Sequence, residues 1–176
     1  MEMNVLLIGS GGREHALAWK ISKSPRLKKF YALPGNPGIA EFAECVENTD
    51  IVKFAQEKNI DLVIVGPEAP LVNGLVDELE KVGIKSFGCN KKAAQIEGSK
   101  IFAKQLMKKY KIPTANFEIF DNPNDAKNFL KTQNFPIVIK ADGLAAGKGV
   151  IIAKNLEESL AAVDEMKNFG AAGSKI

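Results

Sequence analysis

Two rhythms of hydrophobic and polar positions alternate along the first hundred residues. Asn4–Ile8 is a short apolar run of the kind buried on both faces of a sheet, and Lys29–Leu33 and Leu62–Val65 repeat it. Between these runs the apolar positions recur at helical spacing. Ala16, Leu17 and Ile21 mark a helix over Arg13–Lys23. Ile51, Phe54 and Ala55 mark another, capped by Thr49 or Asp50 and ending near Lys58. Leu71–Val82 reads as a helix, Ser86–Gly88 as a short strand and Lys91–Glu97 as a short helix. The alternation predicts an α/β fold: a doubly wound parallel sheet of about four or five strands with right-handed crossovers.

A second block begins near Glu97-Gly98-Ser99-Lys100, so the pattern divides the chain into residues 1–98 and residues 99–176. Ser99 is placed to cap a helix through Tyr110, with Ile101, Phe102, Leu106 and Met107 as its apolar face. Ile112-Pro113-Thr114 stops that helix. Asn116–Phe120 then reads as a strand, Asn124–Thr132 as a helix, Ile137–Lys140 and Val150–Ala153 as strands, and Asn155–Asn168 as a last helix. Gly173-Ser174-Lys175-Ile176 has neither a cap nor a polar tail, and the second domain is expected to be cut short there.

Chemistry concentrates in the loops. Residues 137–149, Ile-Val-Ile-Lys-Ala-Asp-Gly-Leu-Ala-Ala-Gly-Lys-Gly, pass from a β-branched run into a small-residue loop with glycines at 143, 147 and 149 and a second lysine at 148. Such a loop can lay backbone N–H groups and two ammonium charges along a polyphosphate. It is not a Walker loop: only three residues separate Gly143 from Gly147, Gly149 follows Lys148, and Val150 opens a strand rather than a helix. The expected architecture is a hairpin, and its tip is expected to be poorly ordered without nucleotide. Lys140 ends the apolar run, where a buried lysine without a partner would be costly, so an anionic ligand is expected there. Lys100, one lysine among many, reads alone as a solvated helix residue.

Gly9-Ser10-Gly11-Gly12-Arg13-Glu14-His15 follows the first strand and opens the first helix, a position suited to binding an anion. The dinucleotide fingerprint would need a glycine where Glu14 stands, which argues against NAD. Pro34-Gly35-Asn36-Pro37-Gly38 and Gly66-Pro67-Glu68-Ala69-Pro70 follow strands of the same sheet. All three loops therefore converge on one edge, where open α/β sheets bind ligands. Each alone is also ordinary turn chemistry. His15 serves equally as a packing residue or a ligand contact. Glu68 can hold an amine or ribose hydroxyls, or stand as a surface carboxylate.

Composition narrows the partners. With 24 basic and 21 acidic residues the net charge of +3 does not call for nucleic acid, and a small anionic ligand suffices. No apolar run approaches the ~20 residues that cross a bilayer, and Met1–Ile8 reads straight into a strand rather than a cleavable signal. Two cysteines, Cys45 and Cys89, form no disulfide or metal framework, which fits a reducing cytoplasm. His15 is the only histidine, so a multi-histidine zinc site is excluded.

The segments GSGGREHALAWK at 9–20, PGNPG at 34–38, DLVIVGPEAPLVNG at 61–74, AAQIEGSKIFAK at 93–104, IPTA at 112–115 and IVIKADGLAAGKGV at 137–150 together resemble the phosphoribosylamine–glycine ligase (glycinamide ribonucleotide synthetase) family of the ATP-grasp superfamily. Phe87-Gly88-Cys89-Asn90 departs from it where the family has proline after the glycine. The resemblance implies a reaction of ATP, glycine and phosphoribosylamine through a glycyl phosphate. It implies that Lys100, Lys140, Gly143, Gly147, Lys148 and Gly149 face the nucleotide, the last four as a mobile flap. Gly9, Gly11, Gly12, Arg13, Glu14, Asn36, Gly38, Gly66, Pro67 and Glu68 would lie on the sugar-phosphate side. It further implies Mg2+ or Mn2+, with ligands in a part of the family beyond this chain, and a monomer working on small molecules without nucleic acid or membrane. On that view these residues alone would not turn over. The alternatives are a different ATP-grasp ligase, or a stand-alone nucleotide-binding module.

Overall fold

The computed structural model describes residues 2–47, 50–145, 147–169 and 175–176. Its chain divides into two compact units, Met1–Ala94 and Gln95–Ile176.

The first unit is built on a five-stranded sheet in the order β3-β2-β1-β4-β5, with every pairing parallel. Its strands are β1 (Met3–Gly9), β2 (Leu27–Pro34), β3 (Glu44–Cys45), β4 (Leu62–Val65) and β5 (Lys85–Phe87). The helices are α1 (Gly12–Ile21), α2 (Ile51–Glu57), α3 (Glu68–Asn73) and α4 (Leu75–Lys81). β1 pairs with β2 on one side and β4 on the other. It is buried on both faces, which is why it reads as an unbroken apolar run rather than an alternation. Leu6 and Ile8 enter one core with Tyr31, Phe54, Val63 and Leu79. Val5 and Leu7 enter the other with Ala18, Phe30, Ala32 and Ile39. The doubly wound parallel sheet expected from sequence is present. The two-residue strand β3 and the 3-10 turn Ile39–Glu41 carry no periodic signal and were not expected.

Two readings of the pattern need correction here, and a third is narrowed to one of its alternatives. The buried face of α1 consists of Glu14 and Ala18, whereas Leu17 remains 40% exposed. The helix expected over Leu71–Val82 is two helices, broken at Gly74, whose φ of 100° lies in the left-handed region that glycine reaches without strain. The apolar periodicity runs through that break because Leu71, Leu75, Val76 and Leu79 still face the same core. Of the alternative caps for α2, Asp50 accepts a hydrogen bond from Lys53 N at 2.9 Å, while Thr49 lies outside the described residues.

The helix α5 (Lys91–Gly98) leads into the second unit. There α6 (Lys100–Lys109), α7 (Pro123–Leu130), β6 (Ile137–Lys140), β7 (Val150–Ala153) and α8 (Leu156–Glu165) follow in order. β6 and β7 form an antiparallel hairpin in the register Ile137↔Ala153 to Lys140↔Val150, the expected hairpin and not a strand–helix phosphate loop. One hairpin face packs on α7 and α8 through Ile139, Ala153, Ala126, Leu130, Val163 and Met166. Asn116–Phe120 is not a strand. Phe120 exchanges one reciprocal pair of backbone hydrogen bonds with Ile176, 2.9 Å each, and one pair does not make a ladder. No residue of α6 is fully buried, so its expected apolar stripe is only half covered. No helix among the described residues is long and apolar enough to cross a membrane.

Leu79 is fully buried, and Phe87 at the end of β5 is 70% exposed. Leu79→Ala is expected to lower the unfolding free energy by about 2–5 kcal/mol, and Phe87→Ala to change it by no more than about 0.5 kcal/mol. Equal shifts of the urea midpoint would contradict this core.

Candidate functional site

Two loop clusters, one in each unit, gather the residues singled out by sequence. In the first unit the chain runs outward along β1 to β2 and β3, then returns to β4 on the other side of β1. Gly9 and Gly66 therefore flank the point where strand order reverses, the usual ligand position on such sheets. Backbone bonds join the loops: Gly35 N donates to Gly9 O at 3.1 Å, and Gly66 N donates to Ile8 O at 3.1 Å. Asn36 Nδ2 donates to Ser10 O at 2.8 Å, and Asn36 Oδ1 accepts from Ile39 N at 2.9 Å. Both ends of the Asn36 amide thus serve the loop itself.

Arg13 Nη2 lies 3.1 Å from Glu68 Oε1, an ion pair between the first turn of α1 and that of α3. The Glu68 carboxyl is held below its ordinary range, first by a backbone N–H at the start of α3 and then by the Arg13 guanidinium. Glu14 is 3% exposed and lies beneath the loop, with Oε2 accepting from Gly11 N at 2.7 Å. Its Oε1 is buried with no hydrogen-bond partner. His15 packs against Gly38 and, at 6.0 Å between ring centroids, against Phe42. A shallow open depression of about 450 Å³ runs along α1, lined by Gly12, His15, Ala16 and Trp19.

These side chains account for several glycines. A Cβ on Gly9 would lie 2.5 Å from Glu14 Cγ, and on Gly66 2.6 Å from the same atom. On Gly38 it would lie 2.5 Å from His15 Cε1, and on Gly35 it would run into Cys45 Sγ. Gly12 meets nothing within 4 Å and stays open to a ligand.

The second cluster surrounds the root of the hairpin loop. Lys100 Nζ donates to Gly143 O at 2.7 Å. Asp142 Oδ1 accepts from Ile101 N at 3.1 Å, and Ser99 Oγ donates to Asp142 Oδ2 at 3.0 Å. Ser99 Oγ in turn accepts from Phe102 N at 3.0 Å, the expected cap. Asp142 was missed by sequence because it caps α6 from 41 residues away. Gly143 and Gly147 have φ of 80° and 78°, and Lys148 is exposed. Ala146, inside the expected flap, lies outside the described residues.

Lys140 requires a correction, because its side chain is exposed and not buried. Along β6 the pleat alternates, so Ile139 takes the core at 5% exposure and Lys140 shares the opposite face with Val138. An exposed ammonium pays no desolvation cost, so burial does not call for a ligand there. Its place in the site rests on its position at the strand end, paired with Val150 at the mouth of the loop. Among the described residues no group of three or more His, Cys, Asp or Glu is arranged to hold a metal.

Residues 3–97 match the phosphoribosylglycinamide synthetase N domain, and residues 98–176 match the ATP-grasp (A) domain of the same synthetase. A phosphoribosylamine–glycine ligase of Rhizobium meliloti is 56% identical over 99% of this chain and 43% of its own length. That of Halalkalibacterium halodurans is 50% identical over 99% of this chain and 42% of its own length. The chain thus spans less than half the length of these curated relatives. Among solved structures, phosphoribosylamine–glycine ligase of Thermotoga maritima superposes with a TM-score of 0.74 at 32% identity, covering 93% of this chain and 39% of that one. N5-carboxyaminoimidazole ribonucleotide synthetase of Thermus thermophilus shares the fold, with a TM-score of 0.64 at 22% identity over 94% of this chain and 44% of its own.

Asp142→Ala removes a cap from α6, at a cost of about 0.5–2 kcal/mol. Faster hydrogen exchange at Ile101 N is the expected readout, and unchanged exchange would deny Asp142 this role. For Glu68 the folded-state pKa lies below the unfolded value, so its stabilising contribution is present above the unfolded value and is lost as pH falls through the lowered one. In a carboxyl NMR titration Glu68 is expected to protonate below the exposed glutamates, and Arg13→Ala to raise its midpoint. A midpoint insensitive to Arg13 would contradict the ion pair.

Proposed function

The chain belongs to the phosphoribosylglycinamide synthetase family, and from that premise we propose that it serves the ATP-dependent ligation of glycine to 5-phosphoribosylamine, giving glycinamide ribonucleotide for purine synthesis. In this reaction a glycine carboxylate oxygen bonds to the γ-phosphorus of ATP while the bond to ADP breaks, giving glycyl phosphate. The amine nitrogen of phosphoribosylamine then attacks the acyl carbon. The carbon–oxygen bond to phosphate breaks, the nitrogen gives up a proton, and inorganic phosphate leaves. Such chemistry asks the protein mainly for positioning and charge neutralisation.

On this reading Lys100 and Lys140 face the nucleotide phosphates, and Gly143, Gly147, Lys148 and Gly149 form a flap over them. Gly9, Gly11, Gly12, Arg13, Asn36, Gly38, Gly66, Pro67 and Glu68 shape the sugar-phosphate side, with Glu14 behind them. Glu68 there accepts from the amine or a ribose hydroxyl. The observation that carries the reading is the Lys100 ammonium held on the Gly143 carbonyl at the root of a glycine-rich hairpin loop. An anionic phosphate oxygen is a stronger acceptor than that neutral carbonyl, so bound nucleotide would reorganise the loop root. Mg2+ or Mn2+ belongs to the proposed reaction, although the described residues bring together no group of three or more His, Cys, Asp or Glu to hold it. A monomeric enzyme acting on small molecules in the cytoplasm completes the proposal.

Lys140→Ala tests it in a polypeptide of the relatives' full length carrying these residues. Loss of one charge-assisted contact worth about 1.5–3 kcal/mol is expected to weaken use of ATP roughly 10- to 100-fold, with KM for glycine unchanged. Unaltered ATP affinity with near-normal turnover would remove Lys140 from the site.

A further inference from the structure

Among the described residues Glu14 is the one charged side chain that is buried, and three glycines from two loops close around it. One carboxylate oxygen holds the Gly11 amide, and the other is buried without a partner. Because that second oxygen is out of solvent contact, Glu14 acts through the loops and does not itself touch a ligand. We propose that Glu14 is a positioning and specificity-determining residue, a buried anionic peg that sets the spacing of the Gly9–Gly12 and Gly66 loops and biases the site against a diphosphate. The ligand half of this inference rests on the sugar-phosphate reading above.

The spacing argument is steric. Gly66 does not have a left-handed backbone, so an alanine there is opposed by contact rather than by backbone strain, and the atoms nearest its Cβ would belong to Glu14, with Cγ at 2.6 Å and Cδ at 2.8 Å. Glu14 is thus by itself a sufficient reason for glycine at position 66. The charge argument is electrostatic. A helix N-terminus presents about half a positive charge to an anion, and the acidic side chain of Glu14 in the first turn of α1 opposes it. Arg13, the nearby cation, is already paired with Glu68. A ligand with one phosphoryl group and several hydroxyl or amine donors suits such a site, and two adjacent phosphates do not.

The steric half is tested by a double-mutant cycle on the 176-residue chain, read by urea and thermal unfolding. Gly66→Ala is expected to be clearly destabilising in the native background and close to neutral in Glu14→Ala, a non-additive pair. Additive effects would overturn the peg. Should Glu14→Ala fail to fold, Glu14→Gln with Gly66→Ala must remain as destabilised as Gly66→Ala alone, since glutamine keeps the bulk; relief by glutamine would overturn the steric claim. The charge half is read by amide-shift titration with ribose 5-phosphate and with inorganic pyrophosphate. The native chain is expected to favour ribose 5-phosphate, and the isosteric Glu14→Gln to narrow that preference at least fivefold, a change that a purely structural role would not produce. An unchanged ratio overturns the specificity claim. If the native chain binds no ribose 5-phosphate, the sugar-phosphate reading and the specificity claim fall together, and the cycle still decides the peg.

Discussion

The central strand β1 is hydrogen-bonded on both edges and covered on both faces, and most of the first unit follows from that. Two parallel neighbours leave it no solvent-facing side, so Val5, Leu6, Leu7 and Ile8 must all be apolar and tightly packed. The same pairing brings the ends of β1, β2 and β4 together, and with them the loops that begin at Gly9, Gly35 and Gly66. Once β1 is held this way, the loops need only short backbone bonds to one another to form a continuous rim.

That rim is organised from below. Glu14 sits one helical turn before Ala18 on the face of α1 that meets the sheet, a place where an apolar residue would be usual. Its burial is tolerated because Gly11 N donates a short hydrogen bond to it at the positive end of a helix, although one oxygen stays unpaired. Glycines of this rim that look like phosphate-binding glycines therefore have a second reason to exist, and among Gly9, Gly11, Gly12, Gly35, Gly38 and Gly66 only Gly12 is left open by neighbouring side chains.

In the second unit the corresponding organiser is Asp142, which fastens the root of the hairpin loop to the first turn of α6 through Ser99 and Ile101. Lys100, on the same turn, holds the next residue of the loop. Three consecutive residues of one segment thus meet two consecutive residues of another. The outward face of the hairpin, with Val138 49% and Ile152 64% exposed, keeps Lys140 in solvent at the loop mouth.

The sequence by itself determined whatever depends on near neighbours along the chain. Apolar runs of three or four residues placed β1, β2, β4, β6 and β7, Thr49-Asp50 and Ser99 announced their helices, and the glycine spacing at 143–149 excluded a Walker loop in favour of a hairpin. Tertiary structure decided which way side chains face and what they meet. Ile137-Val138-Ile139-Lys140 has no polar alternation to reveal its parity, so only packing against α7 and α8 put Ile139 inside and Lys140 outside. Glu14 looks like an ordinary first-turn carboxylate until the Gly66 loop, 52 residues later, closes over it. Asp142 becomes a helix cap only once the hairpin reaches α6. Gly74 breaks a helix whose apolar pattern continues unbroken, because periodicity reports a shared core and not a continuous axis. Local propensity acts over three or four residues, whereas contacts made across tens of residues exist only after the chain has closed on itself.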